Sequence, residues 1–137
     1  MFGISFSIKQ CRNFNLDPTV VLTSLIEDLG FSRFRLMSYW DEHEKIAGVY
    51  DFSALDKQVE TIEKAGGVIT MCLGVRQPRW PESHWPDWAW AMLKPERYAK
   101  LMDYISAVVE HYKDRKVIIS WQLENEWLLK SDRKSVV

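Results

Sequence analysis

The stretch that decides the fold is GGVITMCLGV, residues 66–75. Its nearly continuous apolar run begins directly after a Gly-Gly pair, which is typical of a parallel strand covered on both faces. Just before it, apolar residues between Leu55 and Ile62 repeat at helical spacing behind Ser53, a residue that favours a helix start. The sequence therefore predicts a helix followed by a buried strand over residues 68–75.

The same strand–loop–helix unit recurs along the chain. The predicted strands cover residues 3–8, 31–37, 68–75 and 116–123, and predicted helices begin at Pro18, Ser53 and Pro95. This alternation predicts an α/β fold whose parallel strands are joined by right-handed crossovers. Two architectures fit it. One is a doubly wound open sheet, complete at this length, and the other is half of an eight-stranded (β/α) barrel, which needs roughly 250 residues when whole.

The loops that follow the strands favour the barrel. A nucleotide-binding open sheet needs a short glycine-rich turn after its first strand, so that backbone N–H groups approach phosphate. The first loop, residues 9–17, contains no glycine, and the next two loops are long and rich in polar and aromatic residues. A barrel builds its active site on such loops. We therefore predict that residues 1–130 form strands one to four of a (β/α)8 (TIM) barrel, and that the polar tail, residues 131–137, is not native barrel sequence.

Composition and charge argue against several classes of partner. The chain has 137 residues and a formal net charge of −1, which gives no electrostatic reason to expect nucleic acid or an anionic membrane. No apolar run is long enough to span a bilayer. Residues 1–7 lack the basic region and cleavage site of a secretory signal, and the compartment stays open. The three histidines show no metal-ligand spacing, so we predict no metal and no cofactor.

The fourth predicted strand ends in WQLENEW, residues 121–127, with two carboxylates and an amide. Cleavage of a glycosidic bond needs a carboxylic acid that protonates the leaving oxygen, and a second carboxylate on the other side of the sugar. Glu126 suits the first role, and the Asn125 amide beside it can hydrogen-bond a sugar hydroxyl. An isolated Asn-Glu pair is more often an ordinary strand end, so the neighbouring loops decide the interpretation.

The second loop contributes Trp40 and Glu44. We predict that both side chains face the same cleft as Glu126. The alternative is a loop that only packs the start of the next helix, and we expect this of Phe52.

The third loop, residues 76–94, is rich in Trp and Pro. Sugar C–H faces stack on flat aromatic rings, and sugar hydroxyls pair with polar side chains, so we predict that Trp80, Arg76 and His84 bind the substrate. The alternative is that the aromatic rings cap the hydrophobic core, which we expect of Trp88 and Trp90.

Arg35 lies within the second predicted strand, where a charge is costly unless it is paired. Strand alternation places Arg33 and Arg35 on the same side, and Arg35 is the nearer to the catalytic end. Its positive charge favours the ionised form of a nearby carboxyl group. A salt bridge between layers is the alternative.

These segments together resemble clan A glycoside hydrolases, a group of retaining enzymes with (β/α)8 barrels. Residues 39–44, YWDEHE, and residues 48–56, GVYDFSALD, resemble the second-loop signature of the β-galactosidase-like members. Residues 78–80, PRW, resemble the Pro-x-Trp segment after their third strand. Residues 122–126, QLENE, resemble their fourth-strand signature.

The resemblance implies an O-glycosyl hydrolase that acts on β-linked sugars. It implies Glu126 as the acid/base residue, Asn125 as a contact of the sugar 2-hydroxyl, and Arg35 as support for the nucleophile. The nucleophile of the clan is a Glu after the seventh strand, and no position in this chain matches it. Glu124 is a poor substitute, because it lies two residues from Glu126, whereas a retaining pair flanks the substrate from opposite sides.

The leading hypothesis is therefore an N-terminal fragment of a retaining glycosidase, which we predict to be inactive in isolation. A non-catalytic carbohydrate-binding half-barrel and an unrelated open-sheet α/β domain are the alternatives. For a half-barrel, we expect self-association through the exposed sheet edges.

Overall fold

The structure, a computed structural model, describes residues 2–79 and 81–126. Its four strands form one parallel sheet in the order β1-β2-β3-β4. Their bounds are Ile4–Phe6 (β1), Arg33–Met37 (β2), Val68–Leu73 (β3) and Ile118–Leu123 (β4). The predicted parallel α/β fold is confirmed, and the observed strands are slightly shorter than the predicted ones.

Helices connect these strands and flank them. They span Ile8–Asn13 (α1), Pro18–Glu27 (α2), Trp40–His43 (α3), Ser53–Lys64 (α4) and Lys94–Tyr112 (α5), with a 3-10 turn at Asp87–Ala91. Asp17 accepts hydrogen bonds from the backbone N–H groups of Thr19 and Val20, as expected of a helix-capping residue. Within the described part of the chain, none of the helices has the length and apolar character needed to cross a bilayer.

The two faces of the sheet differ in chemistry. One face buries apolar side chains such as Leu36, Ile69 and Met71 against helix residues that include Leu55 and Tyr104. The opposite face carries a polar row in which four residues lie side by side, one from each strand: Ser5, Arg35, Thr70 and Ser120. Most of the hydrophobic core therefore lies between the sheet and the helices.

This arrangement distinguishes the barrel from the open sheet. A doubly wound sheet carries helices on both faces, and its strand order reverses at a switch point. Here the strands follow chain order without a switch point, as they do in a (β/α) barrel. The geometry argues against the open-sheet alternative.

The first loop differs from the prediction, because α1 forms where strand and polar loop were expected. Ser7 accepts a hydrogen bond from the backbone N–H of Gln10 at 3.2 Å, which caps the helix. Ile8 and Cys11, three positions apart, bury one face of the turn. Only two apolar residues mark this helix in the sequence.

The start of α4 also differs from the prediction. Phe52 occupies the cap position, and Asp51 Oδ1 accepts from the backbone N–H of Ser53 at 3.0 Å. An Asp side chain reaches the N–H group two residues on, and it replaces the predicted Ser53 cap.

Candidate active site

The residues after β4 include two glutamates, Glu124 and Glu126, whose carboxylates lie in different surroundings. Glu124 and Glu126 both adopt left-handed backbone angles, with φ values of 54° and 51°. Such angles are uncommon outside glycine and often mark functional turns. Both residues lie just after β4, at the carboxyl edge of the sheet, where a barrel carries its active site.

The Glu124 carboxylate is bound within the chain. It accepts hydrogen bonds from the backbone N–H groups of Val75 at 2.9 Å and Arg76 at 2.6 Å. Gly74 makes room for this contact, because a Cβ atom there would lie 2.3 Å from Glu124 Oε1. Glu124 therefore attaches the start of the third loop to the end of β4.

Glu126 borders a cleft of about 210 Å³. The cleft is lined by Ser5, Arg35, Pro78, Arg79, Glu82, Asn125 and Glu126. Glu126 is exposed, and none of the hydrogen bonds and ion pairs recorded among the described residues involves its carboxylate. Its carboxylate is thus available to a molecule in the cleft. The structure brings together three predicted site residues here: Glu126, Asn125 and Arg35.

Arg35 is half-buried on the polar face, and neutral groups hold it. Its Nε donates to Ser5 Oγ at 2.8 Å, and a terminal nitrogen donates to Gln122 Oε1 at 3.3 Å. The ion pairs of the described residues include none to Arg35. The alternative reading, a salt bridge between layers, is therefore not seen among these residues, and Arg35 lines the cleft together with Glu126.

Trp40 and Glu44 correct the sequence prediction, since both are buried away from the Glu126 cleft. Trp40 has no exposed surface and stacks on Tyr104 with ring centroids 5.5 Å apart. Glu44 accepts from Trp40 Nε1 at 2.5 Å and from the backbone N–H of Gly48 at 2.7 Å. The geometry assigns these two residues to the core and to the closure of the second loop.

Trp88 and Trp90 divide between core and surface. Trp88 packs on Trp40 and donates through Nε1 to the Glu44 carbonyl at 2.7 Å, as predicted for a core aromatic. Trp90 is 57% exposed, because its ring packs against Arg97 at 4.7 Å from the guanidinium carbon rather than against the core.

Of the other predicted third-loop residues, Arg76 and His84 do not line the Glu126 cleft, although the Arg76 carbonyl accepts from the backbone N–H of Asn125 at 2.9 Å. Arg76 forms an ion pair with Glu82 at 3.0 Å and does not border the Glu126 cleft, so only its partner reaches that cleft. His84 is buried, with its ring 4.5 Å from that of Tyr39. Trp80 lies outside the described residues. Substrate binding by Arg76 and His84 stays a prediction, and neither residue lines the Glu126 cleft.

His84 instead borders a second pocket of about 370 Å³ between the first, second and third loops. Lys9 and Asp41 form an ion pair on its wall, and Lys9 Nζ lies 3.0 Å from His84 Nδ1. Desolvation raises the pKa of Asp41, but hydrogen bonds from His84 and Lys9 outweigh it and hold that pKa below its ordinary value. Sequence reasoning missed Lys9 and Asp41, whose only signal was their place in loops that follow strands.

His43 is a buried histidine, and histidine is a common metal ligand. Burial lowers its pKa to about 4, so the imidazole is neutral near pH 7, and its Nδ1 lies 2.8 Å from the Tyr104 hydroxyl. Among residues 2–79 and 81–126, no group of three or more His, Cys, Asp or Glu side chains is placed to hold a metal ion.

Comparisons with known proteins bear on the fold and on its family. No family model matches the chain. A curated relative, β-galactosidase BbgII from Bifidobacterium bifidum, is 26% identical over a 105-residue alignment that covers 64% of this chain and 15% of that protein.

Solved structures match the fold over most of the chain. Exo-β-1,4-mannosidase Op5Man5 from Opitutaceae bacterium strain TAV5 superposes with a TM-score of 0.73 at 20% identity, covering 91% of this chain and 24% of that one. The β-galactosidase from the psychrophilic Marinomonas ef1 gives 0.60 at 15% identity, covering 91% and 21%.

The chain thus has the fold of a half-barrel from clan A glycoside hydrolases, as the sequence resemblance predicted. Its neighbours are glycoside hydrolases that act on β-linked sugars. It spans 15% to 24% of the length of the three relatives described above. Their named activities are properties of those proteins.

Proposed function

We propose that this chain is the acid/base half of a retaining glycosidase site for β-linked sugars, with Glu126 as the acid/base residue. One contrast carries the proposal. Glu124 uses both carboxylate oxygens on backbone N–H groups, whereas Glu126 reaches the cleft with no partner among the described residues. The carboxylate without a partner among residues 2–79 and 81–126 is the one that borders the polar face and Arg35.

The chemistry follows from the two faces of a sugar ring. In the first step, Glu126 gives its proton to the glycosidic oxygen as the bond to the anomeric carbon breaks and a nucleophilic carboxylate attacks from the opposite side. In the second step, Glu126 takes a proton from the water molecule that displaces the enzyme carboxylate. Asn125 donates to the sugar 2-hydroxyl, and the positive charge of Arg35 stabilises the ionised nucleophile.

The described residues supply no such nucleophile. Glu82 is the other carboxylate on the cleft wall, and it is paired with Arg76 at 3.0 Å. Glu124 is occupied by backbone N–H groups. We therefore expect the second carboxylate to come from a segment other than residues 2–79 and 81–126, and we expect the isolated chain to bind sugar without hydrolysing it.

The first test uses the chain as it stands. Incubation with 4-nitrophenyl β-galactoside, β-mannoside and β-N-acetylglucosaminide should release no nitrophenol above that of a Glu126→Gln control. In a backbone-amide NMR titration with galactose or mannose, the signals of Arg35 and Asn125 should shift. Nitrophenol release by the isolated chain would contradict the expected absence of a nucleophile from residues 2–79 and 81–126, and unshifted signals would remove the cleft from sugar binding.

The second test reads the coding region beyond codon 137. Four more strand units with a Glu late in the reading would identify the longer enzyme. In that protein, Glu126→Gln should slow hydrolysis of substrates with poor leaving groups by about 10²–10⁴-fold, the usual contribution of a general acid. Substrates with good leaving groups should lose less. Glu60→Gln, on an exposed helix face, is the matched control and should change neither rate.

A purely carbohydrate-binding half-barrel is the second candidate, favoured by the lack of an unpaired second carboxylate among the described residues on the Glu126 cleft. The two candidates differ in one outcome. If no reading frame beyond codon 137 encodes further strands, and the chain still binds sugar, the binding function is retained and the catalytic one is rejected.

A further inference from the structure

The third loop closes on itself to form a short hairpin. The backbone N–H of Gln77 donates to the Glu82 carbonyl at 2.8 Å, and the backbone N–H of His84 donates to the Val75 carbonyl at 2.9 Å. We call the described residues from Val75 to His84 the third-loop hairpin. Because both bonds close the hairpin, the exchange rates of these two N–H groups report how often it opens.

The third-loop hairpin forms one wall of the Glu126 cleft. Three of its residues line that cleft, namely Pro78, Arg79 and Glu82. Glu124, which follows β4, holds the start of the hairpin through the backbone N–H groups of Val75 and Arg76. The other end of the hairpin, at His84, lies against the first and second loops.

Three side chains, one from each of the first three loops, meet at that end. Lys9 lies in α1, Asp41 lies in α3, and His84 ends the hairpin. The Lys9 ammonium group forms an ion pair with Asp41, and its nitrogen lies 3.0 Å from His84 Nδ1. An ammonium group has three N–H donors, so the Lys9 side chain can join the second loop to the third. We call these three residues the loop cluster.

The surroundings of the loop cluster hold its side chains in place. His84 is 5% exposed, and its ring packs edge-on against the Tyr39 ring at 4.5 Å. The Tyr39 hydroxyl is hydrogen-bonded to Ser7 Oγ at 2.6 Å, and Ser7 caps α1. The side chains of Lys9 and Asp41 are 22% and 30% exposed. Charges that are partly shielded from water attract each other more strongly than exposed charges do, so this pair stabilises the contact between the loops.

A neighbouring ion pair shows what is particular to the loop cluster. Arg12, on the same helix as Lys9, pairs with Glu42, the residue after Asp41, at 3.1 Å. This second pair also joins the first loop to the second. The hydrogen bonds and ion pairs recorded for residues 2–79 and 81–126 include none from it to the hairpin. The two pairs thus differ in their contact with the third loop.

We propose that Lys9 and Asp41 are positioning residues that hold the third-loop hairpin in place as a wall of the Glu126 cleft. Neither residue lines that cleft, so both act on a bound sugar through the hairpin. This inference rests on the proposed function, because it takes sugar as the ligand of the cleft. It adds that residues of the first and second loops, outside the cleft, control the form of the chain that binds sugar.

The first measurement needs no ligand and follows the exchange of backbone N–H groups by NMR on the whole chain. In Lys9→Met and in Asp41→Asn, the N–H groups of Gln77 and His84 should exchange about tenfold faster, the loss expected for one hydrogen bond to a charged group. The hairpin opens more often in these variants because the ion pair that opposes its opening has been removed. Unchanged rates at both positions would overturn the proposal.

Two controls separate this effect from general destabilisation. Arg12→Met removes the neighbouring ion pair and should leave the exchange at Gln77 and His84 unchanged. The backbone N–H of Phe31 donates to the Leu25 carbonyl at 3.0 Å, just before β2, and it should keep its rate in every variant. Equal acceleration in Arg12→Met, or at Phe31, would mean that the loop cluster has no specific hold on the hairpin, and it would overturn the proposal.

The second measurement adds galactose or mannose to the unchanged chain at about ten times the dissociation constant, where a ligand slows the opening of the form it binds about tenfold. If sugar binds the closed hairpin, the exchange at Gln77 and His84 should slow by this factor, and Phe31 should keep its rate. A sugar that shifts the signals of Arg35 and Asn125 without slowing this exchange would overturn the positioning role and leave the proposed function standing.

A further outcome separates the two claims from the other side. If neither sugar shifts Arg35 or Asn125, the proposed function fails. The positioning of a cleft wall for sugar is then overturned with it, whatever the exchange rates of the hairpin.

Discussion

The second loop and the turn after β4 each place glutamates two residues apart, at positions 42 and 44 and at positions 124 and 126. In the second loop, the buried Glu44 carboxylate accepts hydrogen bonds from Trp40 Nε1 and from the backbone N–H of Gly48, whereas Glu42 forms an ion pair with Arg12. In the turn, Glu124 takes two backbone N–H groups and Glu126 stays without a described partner.

The comparison shows what separates a structural carboxylate from one that is available for chemistry. Residue type and spacing are the same in both regions. The backbone N–H groups that each side chain can reach differ, and so does the aromatic cover over it. A carboxylate whose oxygens are taken by backbone groups stabilises a loop, and one that the fold leaves unpaired in a cleft can transfer a proton.

The largest expected effect lies in the second loop. Trp40→Ala should lower the free energy of unfolding by about 3–5 kcal/mol, because it empties a fully buried aromatic site and leaves Glu44 without one of its donors. Urea denaturation measures the change. Trp90→Ala, at a mostly exposed ring, is the matched control and should cost far less. If Trp40→Ala loses little stability but no longer binds sugar, Trp40 belongs to the binding site and not to the core.

The pH dependence of stability sharpens the same contrast. Burial lowers the pKa of His43 to about 4, whereas the unfolded chain takes up this proton near pH 6.5. The contribution of His43 to the free energy of unfolding is therefore complete above pH 6.5, and it decreases by about 3 kcal/mol as the pH drops towards 4. Urea denaturation across this range should show the fall, and His43→Gln should flatten it. His111→Gln, at an exposed ring, should leave most of it, and an unchanged slope in His43→Gln would contradict the assignment.

Gly74 tests the structural role of Glu124. Gly74→Ala places a Cβ atom on the Glu124 carboxylate and strains a residue with a φ of 102°, at a cost of about 1–3 kcal/mol for the strain alone. Gly30→Ala is the matched control, because Gly30 has a φ of 69° but open space around the new atom. Thermal unfolding should show the larger loss at Gly74. Equal losses would mean that the Glu124 contact with the third loop contributes nothing.

The smallest expected effect on stability is that of a substitution at Glu126, the proposed acid/base residue. Glu126→Gln should change the free energy of unfolding by less than about 0.5 kcal/mol, since the carboxylate is exposed and stabilises no described neighbour. Glu60→Gln gives the baseline for an exposed glutamate on a helix. A loss of more than about 1 kcal/mol at Glu126 would show that the fold depends on this side chain, as it does on Glu44.

The sequence predicted the fold class because its signals are local. Apolar runs mark the strands, and the spacing from Leu55 to Ile62 marks a helix. Helix α1 was not predicted, because two apolar residues within a polar stretch give little periodic signal. Of the polar row on the sheet, only Arg35 was predicted. The other members, Ser5, Thr70 and Ser120, are short side chains whose alignment depends on the register between the strands.

The site was predicted in part, and the errors share a physical cause. The sequence could bring Asn125, Glu126 and Arg35 to one edge of the sheet because strand ends and a charge within a strand are visible along the chain. The burial of Glu44 depends on Trp88, 44 residues away, and the role of Lys9 depends on His84, 75 residues away. Contacts of that separation leave no trace in local spacing.

The most direct test of the division between Glu124 and Glu126 is a paired measurement on Glu124→Gln and Glu126→Gln. For each variant, urea denaturation gives the stability, and an NMR titration with β-1,4-mannobiose and β-1,4-galactobiose gives the affinity. The account predicts that Glu126→Gln weakens sugar binding by about tenfold, as expected for loss of a charged hydrogen bond, and keeps its stability, whereas Glu124→Gln loses stability. A Glu126→Gln chain that unfolds more easily and binds sugar as before would contradict it.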